Sequence, residues 1–222
     1  MNGPPQVLAR GDGVHGEVAL RRRCDVYELI VNGVFVMDTA ETSTERLLAD
    51  VLLDRHPAPR HVLVAGLGLG VTLGTLLADL RVARVDVIEV EPLVVDWLRA
   101  GLVPTAAALL TDPRVHVRVC DVRAALPDAG AGTYSGFLLD VDNGPDFLVH
   151  AENAAVYQPP VLREAARVLA PSGLLAVWSA APSSSLASTM AEEVGPCEEV
   201  VRTVERDGRP MTYYIYLARR RA

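Results

Sequence analysis

Lysine is absent from the 222 residues, so all 21 positions in the Lys-plus-Arg count are arginine. A chain without lysine cannot bind a carbonyl substrate as a Schiff base through a side-chain amine, which excludes that form of covalent catalysis. Cysteine is scarce as well: Cys24, Cys120 and Cys197 lie far apart, and no CxxC pair occurs. This spacing predicts neither a zinc site nor a disulfide framework. We therefore expect no metal and a reducing, cytoplasmic compartment.

Excess positive charge and long apolar runs are also lacking. The formal net charge of −7 argues against a nucleic-acid-binding surface. No apolar run reaches the length of a membrane span, and no N-terminal signal-peptide pattern is present, so we expect no membrane partner. The composition is ordinary for a globular protein, with 50% hydrophobic and 22% charged residues. The length fits one substantial α/β domain with a small additional element.

The first forty residues alternate apolar and polar positions, which predicts short strands at 17–20, 26–31 and 34–37. Asn32-Gly33 between the last two is typical of a type I′ hairpin turn, because both central residues need a positive φ. We therefore predict an antiparallel β-hairpin module over residues 1–41. A capping box, in which Thr42 pairs with Glu45, predicts a helix start and the beginning of a second domain, 42–222.

From residue 61 onward, strand patterns alternate with helix patterns. Strands are predicted at 61–65, 85–90, 115–119, 137–140 and 174–178, helices at 72–80, 93–98, 160–169 and 186–194, and a closing antiparallel pair at 200–204 and 212–217. Such alternation is typical of a mostly parallel sheet covered on both faces. The predicted fold class is α/β: a Rossmann-like, mostly parallel seven-stranded sheet with helices on both faces, preceded by the small antiparallel β module.

A glycine-rich turn follows the first of these strands. Gly66, Gly68 and Gly70 would let the backbone turn tightly and approach a ligand, and Glu89 ends the next strand over the same crevice, within reach of ribose hydroxyls. The dinucleotide fingerprint GxGxxG is not met, because Val71 stands where its third glycine or alanine belongs. The spacing favours an adenosyl sulfonium such as S-adenosylmethionine. A tight turn without ligand, and a dehydrogenase, remain as alternatives.

Carboxylates also follow the third and fourth strands. Asp121 could accept a hydrogen bond from an adenine amino group, cap a helix starting at Val122, or do both. Asp140 lies at the ligand-binding edge of the sheet and is the best catalytic candidate, since a carboxylate can attract a cationic amine and accept its proton. Asp142 is a second catalytic candidate, with turn formation as the alternative. Trp178, at the end of the fifth strand, would lie beside the ligand or pack in the core.

Together these segments resemble the spermidine synthase (polyamine aminopropyltransferase) family. The resemblance covers residues 26–178 and rests on the N-terminal hairpin and on segments 62–70, 87–92, 120–121 and 138–140. It implies S-adenosylmethionine or its decarboxylated form as donor, an amine or other small molecule as acceptor, Glu89 and Asp121 at the nucleoside, and Asp140 as the catalytic aspartate. The Rossmann motifs are shared with class I methyltransferases, whereas the hairpin and the loop after the fourth strand favour spermidine synthase.

The sequence departs from that family at several positions. Leu69 stands where the family has an aspartate that holds the aminopropyl ammonium, and a leucine cannot pair with that charge. Asn143 replaces a second acid, and on an ungapped comparison Val36 replaces a glutamine and Arg46-Leu47 a histidine-glutamate pair. Three hypotheses follow: aminopropyl transfer to an amine, S-adenosylmethionine-dependent methylation of a small molecule, or a non-catalytic nucleoside-binding homologue. A homodimer through edge pairing of the hairpin is a further possibility.

Overall fold

The structure is a computed structural model that describes residues 4–141, 144–145, 148, 151–206 and 208–221. Its first sheet is antiparallel, with the strands in chain order. These strands are β1 (Gln6–Gly13), β2 (Gly16–Arg23), β3 (Val26–Val31) and β4 (Val34–Asp38). Asn32 and Gly33 have φ of 51° and 75°, as the predicted hairpin turn requires. The division of the chain into domains 1–41 and 42–222 stays a prediction.

Strand β1 was not predicted from the sequence. Only Leu8 and Ala9 in it pack against the hydrophobic core, and the rest of the strand is partly or largely exposed. Its pairing with β2 is also interrupted by a bulge between Val7 and Ala9. A strand with so few buried side chains has no clear period-2 pattern, so its place in the sheet depends on its neighbour.

The second sheet has seven strands in the described residues, in the order β10-β11-β9-β8-β5-β6-β7. They are β5 (His61–Ala65), β6 (Arg84–Glu89), β7 (Val115–Val119), β8 (Tyr134–Leu139), β9 (Leu169–Ser179), β10 (Cys197–Arg206) and β11 (Arg209–Arg219). Strands β5 to β9 pair in parallel, and β11 pairs antiparallel with both β9 and β10. The predicted mostly parallel seven-stranded sheet, preceded by a small antiparallel sheet, is confirmed.

Helices cover both faces of this sheet. They are α1 (Ser43–Arg55), α2 (Val71–Ala78), α3 (Pro92–Arg99), α4 (Pro104–Leu110), α5 (Val122–Ala125), a 3₁₀ helix (Ala151–Tyr157), α6 (Pro159–Val168) and α7 (Ser184–Glu193). In the described part of the chain no single helix is long and apolar enough to span a membrane. Helices α3 and α4 reach the required length and apolar composition only when they are taken together, and they are bent by 98° relative to each other.

The alternation of side chains along β5 explains why the sheet has two cores. Val62 and Val64 point to a cluster formed with α1, α2 and α3, whereas Leu63 and Ala65 point to a cluster formed with α6 and α7. Leu20 of the N-terminal sheet belongs to the first cluster, so the small sheet packs on the same face as α1 and α3. Because both faces are buried, the strand shows a continuous apolar run in the sequence.

The predicted capping box at the start of α1 is wrong. Thr42 is the N-cap residue, but its side chain makes no capping hydrogen bond; its hydroxyl oxygen accepts one from Arg46 Nε at 3.1 Å. The first amide, Ser43 N–H, donates instead to Glu41 Oε1 at 2.8 Å. Glu45 therefore has no capping role, and its carboxylate accepts a hydrogen bond from the Thr44 hydroxyl at 2.8 Å.

At the amino-terminal edge of the parallel sheet, Asp86 connects three strands. Its carboxylate forms hydrogen bonds with His61 Nε2 at 2.9 Å, the Tyr134 hydroxyl at 3.1 Å and Arg84 Nε at 2.8 Å. Burial alone would raise the pKa of Asp86, but the hydrogen bonds from His61 and Arg84 outweigh it and hold that pKa well below its ordinary value. The ionised carboxylate therefore stabilises the folded state.

We expect Asp86→Asn to lower the free energy of unfolding by about 2 kcal/mol at pH 7, because several donors lose a charged acceptor. Since the folded pKa is depressed, this stabilisation is present above the unfolded pKa of about 3.9 and is lost as the pH falls toward the folded value. Urea unfolding at pH 7 and at pH 3 measures both effects. Asp128→Asn, at a side chain that is 76% exposed, is the matched control and should change stability little. Equal losses in the two variants would contradict the prediction.

Candidate active site

The glycine loop after β5 has the backbone conformation that its sequence requires. Gly66, Gly68 and Gly70 have φ of 95°, 51° and 84°, all in the left-handed region that favours glycine. A Cβ at Gly66 would overlap the carbonyl oxygen of Asp140, and one at Gly68 would lie 2.6 Å from Met37 Sδ. The loop therefore passes directly against the end of β8 and against the N-terminal sheet.

Glu89, at the end of β6, holds this loop in place. Its Oε2 accepts the Leu67 N–H at 2.7 Å and its Oε1 accepts the Glu91 N–H at 2.9 Å. Burial raises the pKa of Glu89, and the nearby Glu91 carboxylate adds to this, although the backbone hydrogen bonds oppose it. The side chain is 8% exposed and lines a cavity beside the loop. Glu89 thus faces the glycine turn, as the nucleoside hypothesis needs.

This first cavity has a volume of about 170 Å³ and lies at the carboxyl ends of the strands. Its floor is formed by the glycine loop and by the ends of β6, β7 and β8, and its roof by the N-terminal sheet. The lining residues from the main sheet include Gly66, Gly68, Ile88, Glu89, Asp121 and Asp140, and those from the N-terminal sheet include His15, Val18, Leu29, Val31 and Val36. The small sheet is therefore part of the site.

Glu91 attaches the turn between β1 and β2 to this cavity. Its Oε2 accepts the Val14 N–H at 2.8 Å, while its Oε1 caps α3 by accepting the Leu93 N–H at 3.0 Å. A Cβ at Gly13 would overlap Glu91 Oε2, so a larger residue there would displace this carboxylate. His15, which follows Val14 in this turn, lines the cavity. The sequence analysis did not identify His15, because it did not predict strand β1.

Asp121 is the N-cap of α5 and also lines the first cavity. Its Oδ1 accepts the Arg123 N–H at 2.7 Å, and the Arg123 guanidinium donates to Oδ2 through Nε at 2.9 Å and Nη2 at 2.5 Å. The Arg123 side chain lowers the pKa of Asp121, although burial opposes the shift. The capping role is therefore present, and the adenine contact stays a prediction.

Gly70 is the N-cap of α2 and faces Ala106, so a direct ligand contact there also stays a prediction.

A second cavity, of about 410 Å³, adjoins the first. It has aromatic walls and several carboxylates, contributed by β4, α1, α2, β9, β10 and β11. Its lining residues include Phe35, Glu41, Thr44, Glu45, Leu67, Val71, Thr72, Trp178, Arg206, Met211 and Tyr213. Val36, Gly68 and Asp140 line both cavities, so the two spaces meet at these three residues.

Asp140 is the titratable residue at this junction. Its backbone N–H donates to Ala65 O at 2.8 Å, and its Oδ2 accepts the Thr72 hydroxyl at 3.1 Å. Burial raises its pKa to about 7, with further increases from Glu45 and Glu89 and an opposing effect from Thr72. A carboxylate with this pKa can accept a proton near neutral pH. Asp142, the second predicted catalytic residue, and Asn143 lie outside the described residues.

Trp178 packs in the core, as one of its two interpretations requires, and its position beside a ligand stays a prediction. It packs against Tyr213, with ring centroids 5.4 Å apart, and it also lines the second cavity. Leu69, by contrast, is 3% exposed, belongs to the first hydrophobic cluster and lines neither cavity among the described residues. The position at which the family has an acid is therefore part of the apolar core.

Three charged residues of the second cavity were missed by the sequence analysis. Glu45 was assigned to a capping box, and Glu41 and Arg206 were not singled out. Burial raises the pKa of Glu45. Arg206 reaches from β10 to the N-terminal sheet, where its Nη2 contacts Asp38 Oδ2 at 2.7 Å and its guanidinium carbon lies 4.6 Å from the centre of the Phe35 ring. In the sequence, Glu41 and Glu45 were recognisable only as acidic residues near the start of α1, and nothing marked Arg206.

Within the described residues, no group of three or more His, Cys, Asp or Glu side chains could hold a metal ion. Cys24, Cys120 and Cys197 are free thiols.

Fold and cavities together define a Rossmann-like α/β protein in which a loop-lined cavity and an acid-lined cavity meet at the carboxyl edge of the sheet. The sequence profile of the spermine/spermidine synthase domain matches residues 41–206. The chain belongs to the spermine/spermidine synthase family, and the resemblance inferred from its motifs is confirmed.

Curated relatives of this chain are named as aminopropyltransferases, as spermidine synthases or as putrescine N-methyltransferases. The chain is 30% identical over 186 residues to the polyamine aminopropyltransferase of Mycobacterium tuberculosis (strain CDC 1551 / Oshkosh), covering 81% of this chain and 34% of that protein. It is 28% identical to the spermidine synthase of Coffea arabica, covering 66% and 45%. It is 29% identical to putrescine N-methyltransferase 4 of Nicotiana tabacum, covering 64% and 37%. The chain thus spans less than half the length of these curated relatives.

Solved structures share the fold. A spermidine synthase in complex with the transition-state analogue AdoDATO superposes with a TM-score of 0.82 and 16% identity, covering 96% of this chain and 73% of that one. The spermidine synthase from Thermotoga maritima gives a TM-score of 0.80 and 16% identity, covering 96% and 72%. Both the α/β sheet and the preceding antiparallel sheet fall within this correspondence.

We expect Gly66→Ala to destabilise the protein by about 1–3 kcal/mol more than Gly101→Ala, because only the first places a Cβ against the Asp140 carbonyl. Gly101 has a similar φ of 81°, but a Cβ added to it would meet nothing within 4 Å, so its substitution costs only the left-handed conformation, about 1 kcal/mol. Urea unfolding of both variants measures the difference. Equal destabilisation would mean that the loop does not press against Asp140.

Proposed function

We propose that this chain is an aminopropyltransferase, with decarboxylated S-adenosylmethionine bound in the first cavity and an amine acceptor in the second. The observation that carries this proposal is the position of Asp140, which lines both cavities at their junction. A transfer reaction needs donor and acceptor to meet at one point, with a proton acceptor beside them. Membership of the spermine/spermidine synthase family supports the same reaction.

The first cavity fits an adenosyl group by its chemistry. Glu89 offers carboxylate oxygens at the end of β6, where ribose hydroxyls are bound in open α/β sheets. Asp121 offers an acceptor at the end of β7, and Ile88 and Val90 provide apolar surface for a purine ring. The loop at Gly66 and Gly68 allows the backbone to approach the donor closely.

In the proposed reaction the acceptor nitrogen attacks the methylene carbon next to the sulfonium. A carbon–nitrogen bond forms, the carbon–sulfur bond breaks, and its electron pair stays on sulfur, which leaves as the neutral thioether methylthioadenosine. Asp140 accepts the proton that the nitrogen loses. Because the thioether is a good leaving group, the residues of the site mainly align the reactants and keep the nitrogen deprotonated.

Methyl transfer from S-adenosylmethionine is the second candidate. Leu69 favours it, because no acid stands where the family holds the aminopropyl ammonium, and relatives named putrescine N-methyltransferase match over 64% of the chain. The same Asp140 would accept the proton. A non-catalytic nucleoside-binding protein is the remaining alternative.

A thermal-shift panel separates the two donors. If the proposal holds, decarboxylated S-adenosylmethionine and methylthioadenosine should each raise the melting temperature more than S-adenosylmethionine and S-adenosylhomocysteine do. Glu89→Gln is the negative control and should lose the shifts, because its amide replaces one of the two acceptor oxygens that bind the Leu67 and Glu91 N–H groups. The reverse order of ligands would support methyl transfer, and no shift with any adenosyl compound would overturn both.

We expect Asp140→Asn to reduce turnover by about 10²-fold or more, since general-base catalysis contributes on that scale, while methylthioadenosine binding is largely kept. Because the pKa of Asp140 is raised to about 7, the rate in the unmutated protein should rise with pH through that value as the carboxylate ionises. Product formation measured between pH 5 and pH 9 checks both points. Unchanged turnover in the variant would remove Asp140 from the reaction. Absence of turnover in the unmutated protein would favour the non-catalytic alternative.

A further inference from the structure

Thr72 is a buried threonine beside Asp140 to which neither the family resemblance nor the sequence motifs give a role. It lies in the first turn of α2, is 4% exposed and lines the second cavity. Thr75, one turn further on, bonds within the helix, because its hydroxyl donates to Val71 O at 3.1 Å. The Thr72 hydroxyl instead contacts two other elements of the fold.

The Thr72 hydroxyl lies between two oxygen atoms. Asp140 Oδ2, at the end of β8, is 3.1 Å away, and the backbone oxygen of Glu45, in α1, is 3.3 Å away. A hydroxyl has one hydrogen, so Thr72 can donate fully to only one of these acceptors at a time. The hydrogen of this hydroxyl therefore has two alternative positions.

The charge on Asp140 selects between the two positions. A hydrogen bond to an ionised group is roughly twice as strong as one between neutral groups, so an ionised Asp140 draws the Thr72 hydrogen to Oδ2. A protonated Asp140 is neutral and loses this advantage, which favours the carbonyl oxygen of Glu45. The buried hydroxyl has a partner in both states, so neither state carries the cost of an unpaired polar group.

The surroundings of Asp140 give this hydrogen bond its importance. Burial raises the pKa of Asp140, the carboxylates of Glu45 from α1 and Glu89 from β6 raise it further, and the hydrogen bond from Thr72 opposes them. Arg206 lines the same cavity, and its charge acts on Glu45, whose pKa it lowers against the effect of burial. Thr72 thus favours the ionised form of Asp140 in surroundings that disfavour it.

We propose that Thr72 is a positioning residue whose hydroxyl donates to ionised Asp140 and turns to the Glu45 carbonyl oxygen when Asp140 takes up the proton of the acceptor nitrogen. This inference rests on the proposed function and adds a residue to it. No bond to the Thr72 oxygen forms or breaks: the proton passes from nitrogen to Asp140, and the Thr72 hydrogen only rotates about the carbon–oxygen bond. The site thereby keeps its base ionised before transfer and accommodates the neutral carboxyl after it.

Thr72→Val removes the hydroxyl and keeps the branched shape of the side chain. Because Asp140 loses a donor, its pKa should rise, and the acidic limb of the pH–rate profile should move up by about one pH unit, the scale of one hydrogen bond to a charged group. Turnover should then fall about tenfold at pH 6 and approach that of the unmutated protein at pH 9. Thr72→Ser keeps the hydroxyl and should restore the original profile.

Thr75→Val is the matched control, because it removes a hydroxyl of the same helix that donates to Val71 O. Its pH–rate profile should match that of the unmutated protein. A merely structural defect would lower turnover by the same factor at every pH, and such a loss in Thr72→Val would overturn the inference. Thr72→Ala removes the same hydroxyl with less bulk and should give the same shift, and the melting temperature of each variant identifies misfolding.

Carbon-13 NMR of labelled aspartate carboxyl groups gives a readout that needs no turnover. The Asp140 signal, assigned by its loss in Asp140→Asn, should titrate about one pH unit higher in Thr72→Val than in the unmutated protein. Neutron diffraction of the deuterated protein locates the hydroxyl hydrogen, which we expect to point to Asp140 Oδ2 at pH 9 and to Glu45 O at pH 5. The same orientation at both pH values would contradict the turn of the hydroxyl.

The outcomes separate this inference from the proposed function. If product forms but Thr72→Val keeps the original pH profile and the original titration of Asp140, the role of Thr72 is wrong and the function stands. If no product forms but the titration shifts as expected, the proposed function is wrong, while Thr72 still stabilises the ionised form of Asp140. If no product forms and the titration is unchanged, both fail.

Discussion

The hydrogen bond from the Leu67 N–H to Glu89, at 2.7 Å, is the contact on which the site depends most. A buried carboxylate is costly unless its oxygens are used, and Glu89 uses both, one on the glycine loop and one on the Glu91 amide. Glu91 in turn accepts the Val14 N–H of the N-terminal sheet. These carboxylates therefore connect the loop, the end of β6 and the turn between β1 and β2. The roof and floor of the first cavity are held by the same short series of hydrogen bonds.

Asp140 takes its properties from the packing around it. The sheet buries it, the glycine loop fixes its backbone from one side, and Thr72 orients its carboxylate from the other. Its raised pKa results from this burial more than from any single neighbour. Under the proposed function Asp140 gains and loses a proton near neutral pH, and the fold provides the pKa that this requires. The acidic character of the second cavity adds to it through Glu45.

The sequence predicted those parts of the structure that local patterns determine. The alternation of strands and helices, the Asn32-Gly33 turn and the glycine loop followed from side-chain periodicity and from the φ values that glycine allows. Strand β1 did not, because its pairing depends on β2 and few of its side chains are buried. Within the site, Glu89 and Asp140 were recognisable because both end a parallel strand.

The residues that the sequence analysis missed are those that tertiary packing brings to the site. His15 lines the first cavity from the turn after β1, which Glu91 contacts through the Val14 N–H. Glu45 matched a capping pattern in the sequence, and only the structure shows that Glu41 caps the helix in its place. Arg206 is distant in sequence from the N-terminal sheet that it contacts.

Val36 belongs to the N-terminal sheet and lines both cavities, together with Gly68 and Asp140. Gly68 cannot accept a side chain without meeting Met37, and Asp140 is the proposed proton acceptor, so Val36 is the member of this trio that can vary in size and polarity. Under the proposed function, a change there would alter the fit of donor and acceptor at once. Divergence of the small sheet would then shift donor and acceptor selectivity together, while the central sheet and its loop stay the same.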